Sequence, residues 1–549
     1  MSRVLRGMSV ALSAAKAVEG WPCKPDTNNP LDESFNKKVN WALEHYHIPG
    51  LAISVVQNGS TFAKAHQGYG FANLSSTPLT PVTNSTLFFA GSTTKAHIAA
   101  AISLLVDDDE KYPGIQWDTP VQSILPEFQL SDPIVAAQVT IVDILSHRTG
   151  LPRHDMVLLQ RLSRAEVVKR LKYLPLTRGI RAEFQYCNLM YITAGYLIES
   201  ITGMDLETFM TENLWGVLGM NHTFFTLQTA QNKGLDIAEG YWVDPRSNET
   251  YSTENIYNPT LTGAGNILTS VSDYSLWISA LLSHSPPLSE KGYEALFSAQ
   301  TIGIRQSHNP FSSPMLYGLG WMIQAYKGKT IISHDGAQDG FGALVLLLPG
   351  RRLGVSILGN YAMGTNAAAQ VLAFELVDRL LGSGKGREER FDWVGVIDAG
   401  LQLGKPTNAT LDSLFPSLPD KPSLLPHPLN LSSYEGVYKH PSYPTINISS
   451  TCASRSKPTL NPLTPSKWTG AQLCGTFQNI MGIQTSELIF DFLHISGQYW
   501  TLVMELEGMQ DATRVEFEIG PEGIVNRVGV EFEVTMREMN GKIWFERNE

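Results

Sequence analysis

Leu87-Phe88-Phe89-Ala90-Gly91-Ser92-Thr93-Thr94-Lys95 decides how this 549-residue chain reads. An apolar run, Leu87 to Ala90, stops at Gly91. A few residues on, Ile98 to Val106 is small and apolar and reads as a buried helix. A serine and a lysine three positions apart therefore stand where a strand hands over to a core helix. Working outward, Phe35, Val39, Leu43 and Tyr46 have helical spacing, and Ile48-Pro49-Gly50 ends that pattern. Leu51 to Val56 suits a buried strand, with Asn58-Gly59 as a hairpin turn. The stretch from about 107 to 260 is mostly helical by pattern. Within it, Thr140-Ile141-Val142-Asp143 has the form of a capping box, and the helix over 189–203 ends at Gly203. Strand-like runs return at Thr330 to Ser333, Gly342 to Leu348 and Leu353 to Leu358, and Ala367 to Leu381 reads as a helix. One strand-rich element thus brackets a helical insertion, with the sheet assembled from both ends of the region.

The remaining chain is organised around that unit. Residues 1–30 form an N-terminal segment, 31–382 the strand-bracketed domain, 383–428 a connector, and 429–549 a further domain. The connector is marked by Gly382, Gly384 and Gly386 and by six prolines between Pro406 and Pro428. Alternation in Val515 to Ile519 and Val528 to Val534 makes the last domain all-β. The net charge is -11 with no long basic run, which disfavours nucleic acid and anionic membranes as partners. No window of about 20 uninterrupted apolar residues supplies a membrane span. Arg3 and Arg6, the short apolar stretch from Met8, and Ala15-Lys16-Ala17 have the order of a secretory signal. Eight N-x-[ST] sequons, at Asn58, Asn73, Asn84, Asn221, Asn248, Asn408, Asn430 and Asn447, point the same way. The apolar part is short and carries serines, so secreted and cytoplasmic locations both stay open. Of the four cysteines, Cys452 and Cys474 read equally as a bridge or as two thiols, and no C-x-x-C pair occurs.

Ser-x-x-Lys occurs at Ser13, Ser34, Ser92 and Ser454, so context must separate the copies. Ser92 alone follows an apolar strand and opens a buried helix. Positions i and i+3 share a helical face, which brings Lys95 to Ser92 Oγ. Unpaired N–H groups at the helix start favour a developing anion. A buried ammonium has a lowered pKa and becomes the base that a nucleophilic serine needs. Tyr186-Cys187-Asn188 is the only Tyr-x-Asn among nineteen tyrosines. On an extended segment, both side chains point the same way. A nearby lysine charge is expected to lower the phenol pKa and make Tyr186 a proton shuttle, while Asn188 holds the lysine or a substrate carbonyl. Cys187, between them, should face away and pack. His334-Asp335-Gly336 follows a strand-like run, and a glycine on an edge strand admits a substrate backbone. His45-Tyr46-His47 reads as a helix C-terminus and Asp107 to Glu110 as a solvated turn, neither having metal-ligand spacing.

Taken in order, Ser92-x-x-Lys95, Tyr186-x-Asn188 and His334-x-Gly336 resemble the triplet of active-site-serine penicillin-recognising enzymes. The similarity is to the group of class C β-lactamases, D-Ala-D-Ala carboxypeptidases, D-aminopeptidases and related esterases. Leu145-Ser146-His147-Arg148-Thr149-Gly150-Leu151-Pro152, Tyr317-Gly318-Leu319-Gly320-Trp321 and the glycine-rich turn over 263–273 extend it across about 35–380. Tyr434-Glu435-Gly436-Val437-Tyr438 opens a tail that resembles the lipocalin-like barrel of some members. The resemblance implies an α/β fold, a helix-flanked antiparallel sheet plus an all-helical subdomain, followed by a small all-β barrel. It implies an acyl-enzyme on Ser92, proton relay by Lys95 and Tyr186, and substrate orientation by Asn188, His334 and Gly336. The N–H groups of Ser92 and Ala337 would form the oxyanion hole, and no metal or organic cofactor is required. The substrate would be a small-molecule or peptide ester or amide. His-Asp-Gly stands where β-lactamases carry Lys-Thr-Gly, and a histidine keeps less positive charge, which puts strong β-lactamase activity in doubt. Hydrolysis, acyl transfer to an alcohol or amine (a transesterase), and binding without catalysis are the three functions considered. Intact Ser92, Lys95 and Tyr186 disfavour the last.

Overall fold

The computed structural model describes residues 29–57, 60–244, 247–253, 257–382, 391–403, 414–417, 424–451, 469–478, 480, 488–506, 509–539 and 541–548, and every count or absence below refers to these described residues. The signal-like segment, Cys23 and Cys452 lie outside them. Helix α1 (Glu33–His45) is capped by Asp32, whose carboxylate accepts the Phe35 N–H at 2.8 Å, and it buries Phe35, Val39 and Ala42. The other principal helices are α2 (Thr94–Asp107), α3 (Asn188–Thr202), α4 (Val271–Ser283) and α5 (Ala362–Leu380).

Strands β1 (Gly50–Gln57), β2 (Ser60–Asn73), β3 (Thr80–Pro81), β4 (Thr301–Ile304), β5 (Met315–Tyr317), β6 (Met322–Tyr326), β7 (Lys329–Gln338), β8 (Phe341–Leu348) and β9 (Leu353–Gly359) form one antiparallel sheet. Their order is β3-β2-β1-β9-β8-β7-β6-β5-β4. The join between early and late chain is β1 against β9, from Leu51↔Gly359 to Gln57↔Leu353. Gln57 pairs with Ser60 across the hairpin, whose Asn58-Gly59 turn lies outside the described residues. Leu51, Ile53 and Val55 pack into the core shared with α1 and α5, whereas Ala52 and Val56 face the other core. On that second face α4 packs on β1 and β9. Because both faces are covered, β8 reads as an unbroken apolar run and is buried throughout.

Residues between α2 and α4 hold the helical subdomain. Asp143 accepts from Thr140 N at 3.0 Å and Thr140 Oγ1 at 2.8 Å, the capping-box contacts that its sequence announces. The same buried carboxylate takes Arg148 Nε at 2.6 Å and Arg181 Nη2 at 2.7 Å. Burial pushes this carboxyl up, but hydrogen bonds from Arg181, Thr140 and Arg148 outweigh that and hold it below its usual value. α3 stops at Gly203, whose φ of +70° suits a residue without a Cβ. α5 starts at Ala362 rather than Ala367. Asn360 ends the strand by bonding Gly50 N at 2.7 Å, and the Thr365 N–H already reaches the Tyr361 carbonyl at 2.8 Å.

The C-terminal part is a closed antiparallel barrel of eight strands: β10 (Gly436–Lys439), β11 (Thr445–Ser449), β12 (Gln472–Gln478), β13 (Ile489–Ser496), β14 (Tyr499–Leu506), β15 (Met509–Ile519), β16 (Val525–Val530) and β17 (Ile543–Asn548). Buried rings of Tyr434, Phe490, Phe492, Trp500 and Phe517 pack against one another in its core. A barrel of eight strands is just wide enough for side chains to fill it. Cys474 is disulfide-bonded. No helix among the described residues is long and apolar enough to cross a membrane.

Candidate active site

The segment that decides the fold also builds the bottom of the site. Phe88 and Phe89 pair with Thr269 and Leu268, and the Ala90 N–H bonds the Ile267 carbonyl at 2.8 Å. Gly91 then turns the chain at φ +50° into a short 3₁₀ turn, Gly91–Thr93, that leads into α2. From Thr86 to Ser103 every residue is buried except Ser92. The one side chain of this run that reaches solvent is therefore the hydroxyl.

Lys95 Nζ lies 3.1 Å from Ser92 Oγ, 2.8 Å from Asn188 Oδ1 and 2.8 Å from the Ala264 carbonyl. Lys95 is fully buried. That burial, reinforced by the Arg153 guanidinium, holds its ammonium well below the usual lysine value. Asn188 Oδ1 and the Ala264 carbonyl can only accept, so each takes one hydrogen from Nζ. A neutral amine has two hydrogens and one lone pair, and the lone pair is left for the Ser92 hydroxyl. The Asn188 amide is oriented by its other end, where Nδ2 donates to Asp155 Oδ1 at 2.9 Å. Asp155 in turn accepts Arg153 Nε at 2.6 Å. The Ala264 carbonyl is presented by the glycine-rich turn. Gln338 at the end of β7 pins that turn by accepting the Asn266 N–H at 3.0 Å and donating to Asn266 Oδ1 at 2.6 Å.

Tyr186 covers this pair. Lys95 Nζ is 4.8 Å from its ring centroid and the Arg153 guanidinium 4.9 Å. Here the sequence expectation is corrected. Burial pushes the Tyr186 phenol up, and the Ser92 hydroxyl and Arg153 only partly oppose it. Burial outweighs the neighbouring charges, so the phenol stays protonated. Cys187 packs away from the site, with burial pushing its thiol up to about 12. His147 lies under Tyr186 at 4.3 Å between centroids, and its Nδ1 accepts the Cys187 N–H at 3.0 Å.

His334 is only 1% exposed. Its Nδ1 donates to the Asp335 carbonyl at 2.6 Å, which leaves Nε2 to accept the Tyr317 hydroxyl at 3.1 Å. Burial lowers it to about 4, so it is neutral at pH 7 and already engaged. Gly336 lies on an inner strand rather than an edge, and what approaches it is the protein's own backbone. A Cβ there would sit 2.1 Å from the Ala90 carbonyl oxygen and 3.1 Å from Ser92 N, and one on Gly91 would meet Ala337 N at 2.6 Å. The two-residue turn Lys327-Gly328, both at positive φ, closes the β6–β7 hairpin at Tyr326↔Lys329. Alternation from that closing pair puts the N–H groups of Lys329, Ile331 and Ser333 on the β6 side. The pairing with β6 ends at Met322↔Ser333, so the N–H of Ala337, on the same side, points past β6 toward the Ser92 turn. The geometry thus gathers Ser92, Lys95, Tyr186 and Asn188, with the N–H groups of Ser92 and Ala337 beside them. His334 lies beneath, behind Tyr317. Sequence reading passed over Arg153, Asp155, the Ala264 carbonyl and Gln338. Only the quoted segments around residues 145–152 and 263–273 hinted at their neighbourhood.

A helix-flanked antiparallel sheet and a helical subdomain, with a solvent-reaching serine beside a buried lysine between them, define a class of serine enzymes. The Beta-lactamase family model matches residues 35–376, and the chain belongs to that family. It is a serine hydrolase by family. Residues 420–547, which hold the barrel, match a domain of unknown function, DUF3471. Among named relatives, "Unguisins hydrolase ungD'" of Aspergillus campestris is 34% identical over 535 residues, covering 95% of this chain and 93% of the relative. "Unguisins hydrolase ungD" of Aspergillus violaceofuscus is 33% identical, covering 93% and 89%. The octameric penicillin-binding protein homologue from Pyrococcus abyssi superposes with a TM-score of 0.56 at 16% identity, covering 93% of this chain and 99% of that one, which bears on the fold alone.

Proposed function

We propose that this enzyme cleaves an ester or amide bond through an acyl-enzyme on Ser92, and that compounds of the unguisin kind are among its substrates. The observation that carries the chemistry is the Lys95 amine. Both of its acceptor-only partners are in place, and Nζ lies 3.1 Å from Ser92 Oγ, where the lone pair of the neutral amine would face the hydroxyl. In acylation, Oγ attacks the carbonyl carbon as Nζ takes its proton. The carbonyl oxygen becomes an oxyanion between the N–H groups of Ser92 and Ala337. Collapse breaks the bond to the leaving group, which takes a proton from the Tyr186 phenol, and Lys95 returns one to Tyr186. Water then attacks the acyl carbon and gives its proton to the same pair, which passes it to Ser92 Oγ as the bond to the serine breaks, releasing the acid and free Ser92.

The substrate reading is supported by relatives that cover nearly the whole chain and carry that name. The neutral His334 supplies no cation to hold a substrate carboxylate, which favours substrates without one. Intact-mass analysis after mixing with a p-nitrophenyl ester and with an unguisin tests both parts. Wild type is expected to gain an acyl mass that Ser92→Ala lacks, and to release the cleaved product. An ester adduct with no action on the unguisin removes the substrate reading and keeps the acyl-enzyme. No adduct with either compound removes both.

A further inference from the structure

The loop over residues 150–155 carries Arg153 and Asp155 to the site, and its conformation is not one the loop holds by itself. Gly150 stands at φ +88° and His154 at φ +47°, the left-handed region that a histidine adopts at a cost. What holds it comes from the far end of the chain. Tyr443 of the barrel, 2% exposed, donates its hydroxyl to His154 Nδ1 at 2.6 Å, while His154 Nε2 donates to the Pro175 carbonyl at 3.1 Å. Glu533, in the β16–β17 connection, is buried against the same loop and faces the backbone N–H groups of Arg153 and His154. Phe532 stacks on Tyr443 at 5.5 Å, so the two barrel contacts are braced against each other. Around them Gln160 Nε2 bonds the Ser442 carbonyl at 2.7 Å, Ser442 Oγ bonds the Arg170 carbonyl at 2.8 Å, and Arg178 pairs with Glu538.

We propose that the barrel is a working part of the hydrolase site: Tyr443 and Glu533 are positioning residues that hold the Arg153–Asp155 loop, and through Asp155 they fix the Asn188 amide that holds Lys95. The proposal rests on the acyl-enzyme reading above. The chain of contacts is continuous. Glu533 and Tyr443 set the backbone of residues 153 and 154. Asp155, next along, takes Asn188 Nδ2 at 2.9 Å, and Asn188 Oδ1 takes Lys95 Nζ at 2.8 Å. Were Asp155 to move away, the Asn188 amide would lose the partner that sets its orientation. Its NH₂ could then face the lysine, where two donors oppose each other and the lone pair needed for Ser92 is misdirected. Burial, with Asp155 adding to it and Arg153 opposing, pushes the Glu533 carboxyl up to about 8. A carboxyl kept in so unfavourable a place suits a clamp more than a surface contact.

The test uses the full chain and follows the rate of Ser92 acylation by a p-nitrophenyl ester in wild type, Tyr443→Phe, Glu533→Ala and Trp500→Phe. Trp500 lies in the barrel core away from the loop and serves as the control for lost stability. Losing one buried hydrogen bond is expected to slow acylation roughly tenfold in Tyr443→Phe, with KM little changed, and Glu533→Ala is expected to do at least as much. Glu533→Gln, which keeps an acceptor oxygen, should recover most of the rate. Amide exchange at Arg153 and His154 should quicken in Glu533→Ala. Trp500→Phe should lower Tm and leave acylation alone. Acylation at the wild-type rate in Tyr443→Phe, or an equal slowing in Trp500→Phe, overturns the positioning role while leaving the acyl-enzyme intact. Wild type that forms no Ser92 adduct overturns the acyl-enzyme and the positioning role together. If Glu533→Ala does not fold, Tyr443→Phe decides.

Discussion

Gly336→Ala adds a single methyl group, and the structure says where it goes. The new Cβ lands 2.1 Å from the Ala90 carbonyl oxygen, a backbone atom with no rotamer to escape into. Ordinary contact begins near 3.4 Å, so β7 and the Ser92 turn must part by about 1.3 Å. Those two backbones carry the proposed oxyanion donors, the N–H groups of Ser92 and Ala337. A donor withdrawn by about 1 Å from a bond of about 3 Å no longer counts as one. Removing one such donor costs roughly 10²–10³ in kcat, about 3–4 kcal/mol. The expected result is therefore a loss of that size in kcat with a much smaller change in KM, read by steady-state kinetics on a chromogenic ester. Gly350→Ala is the control, because its Cβ would meet nothing within 4 Å and its φ is ordinary. A Gly336→Ala enzyme within about threefold of wild type would refute the reasoning, since the donors would then not depend on the close approach.

Three further outcomes follow from the same geometry. Lys95→Met removes the general base and should lower the rate of Ser92 acylation by at least about 10³-fold, with the stopped-flow burst as the readout; a change under tenfold would transfer the base role elsewhere. His97, His154 and His334 are buried, and burial lowers them to about 3, about 4 and about 4 from the ordinary histidine value of about 6.5. At these three sites the unfolded chain binds protons that the folded one refuses, so their contribution to stability is full above about pH 6.5 and falls progressively toward about pH 3, and Tm by calorimetry should drop as pH falls through the acid part of that window. Asp143→Asn leaves Arg148 and Arg181 facing a neutral amide in a buried place, and urea denaturation should show a loss of about 3 kcal/mol.

The parts of this site that could be read from sequence are those fixed by local geometry. Ser92 and Lys95 meet because they are three apart at a helix start, and Tyr186 and Asn188 because one residue separates them where the chain enters α3. The strand runs at Leu51 and Gly342 were legible because both sheet faces are buried, which writes an unbroken apolar run. What escaped is what only distance in the chain creates. The Ala264 carbonyl is a backbone atom and has no residue signature. Asp155 sits in a loop without periodicity, and its partner Asn188 lies 33 positions away. Glu533 comes from another domain. The Tyr186 phenol was read in the wrong direction because a sequence places the lysine charge beside it but cannot show how completely both are buried.

This division bears on what the histidine of the third motif can and cannot affect. Two hydrogens and one lone pair on Lys95 are assigned by Asn188 and the Ala264 carbonyl, and the proposed oxyanion donors by two glycine-enabled approaches, Gly91 on Ala337 and Gly336 on Ala90. Neither requirement involves the side chain at position 334. That residue bonds Tyr317 and the Asp335 carbonyl, one layer below the lysine. A change there from a cation to a neutral imidazole alters what charge the pocket offers a substrate while leaving the serine's activation in place. The glycine two residues on cannot vary in the same way, because its missing Cβ is what lets the strand and the serine turn touch.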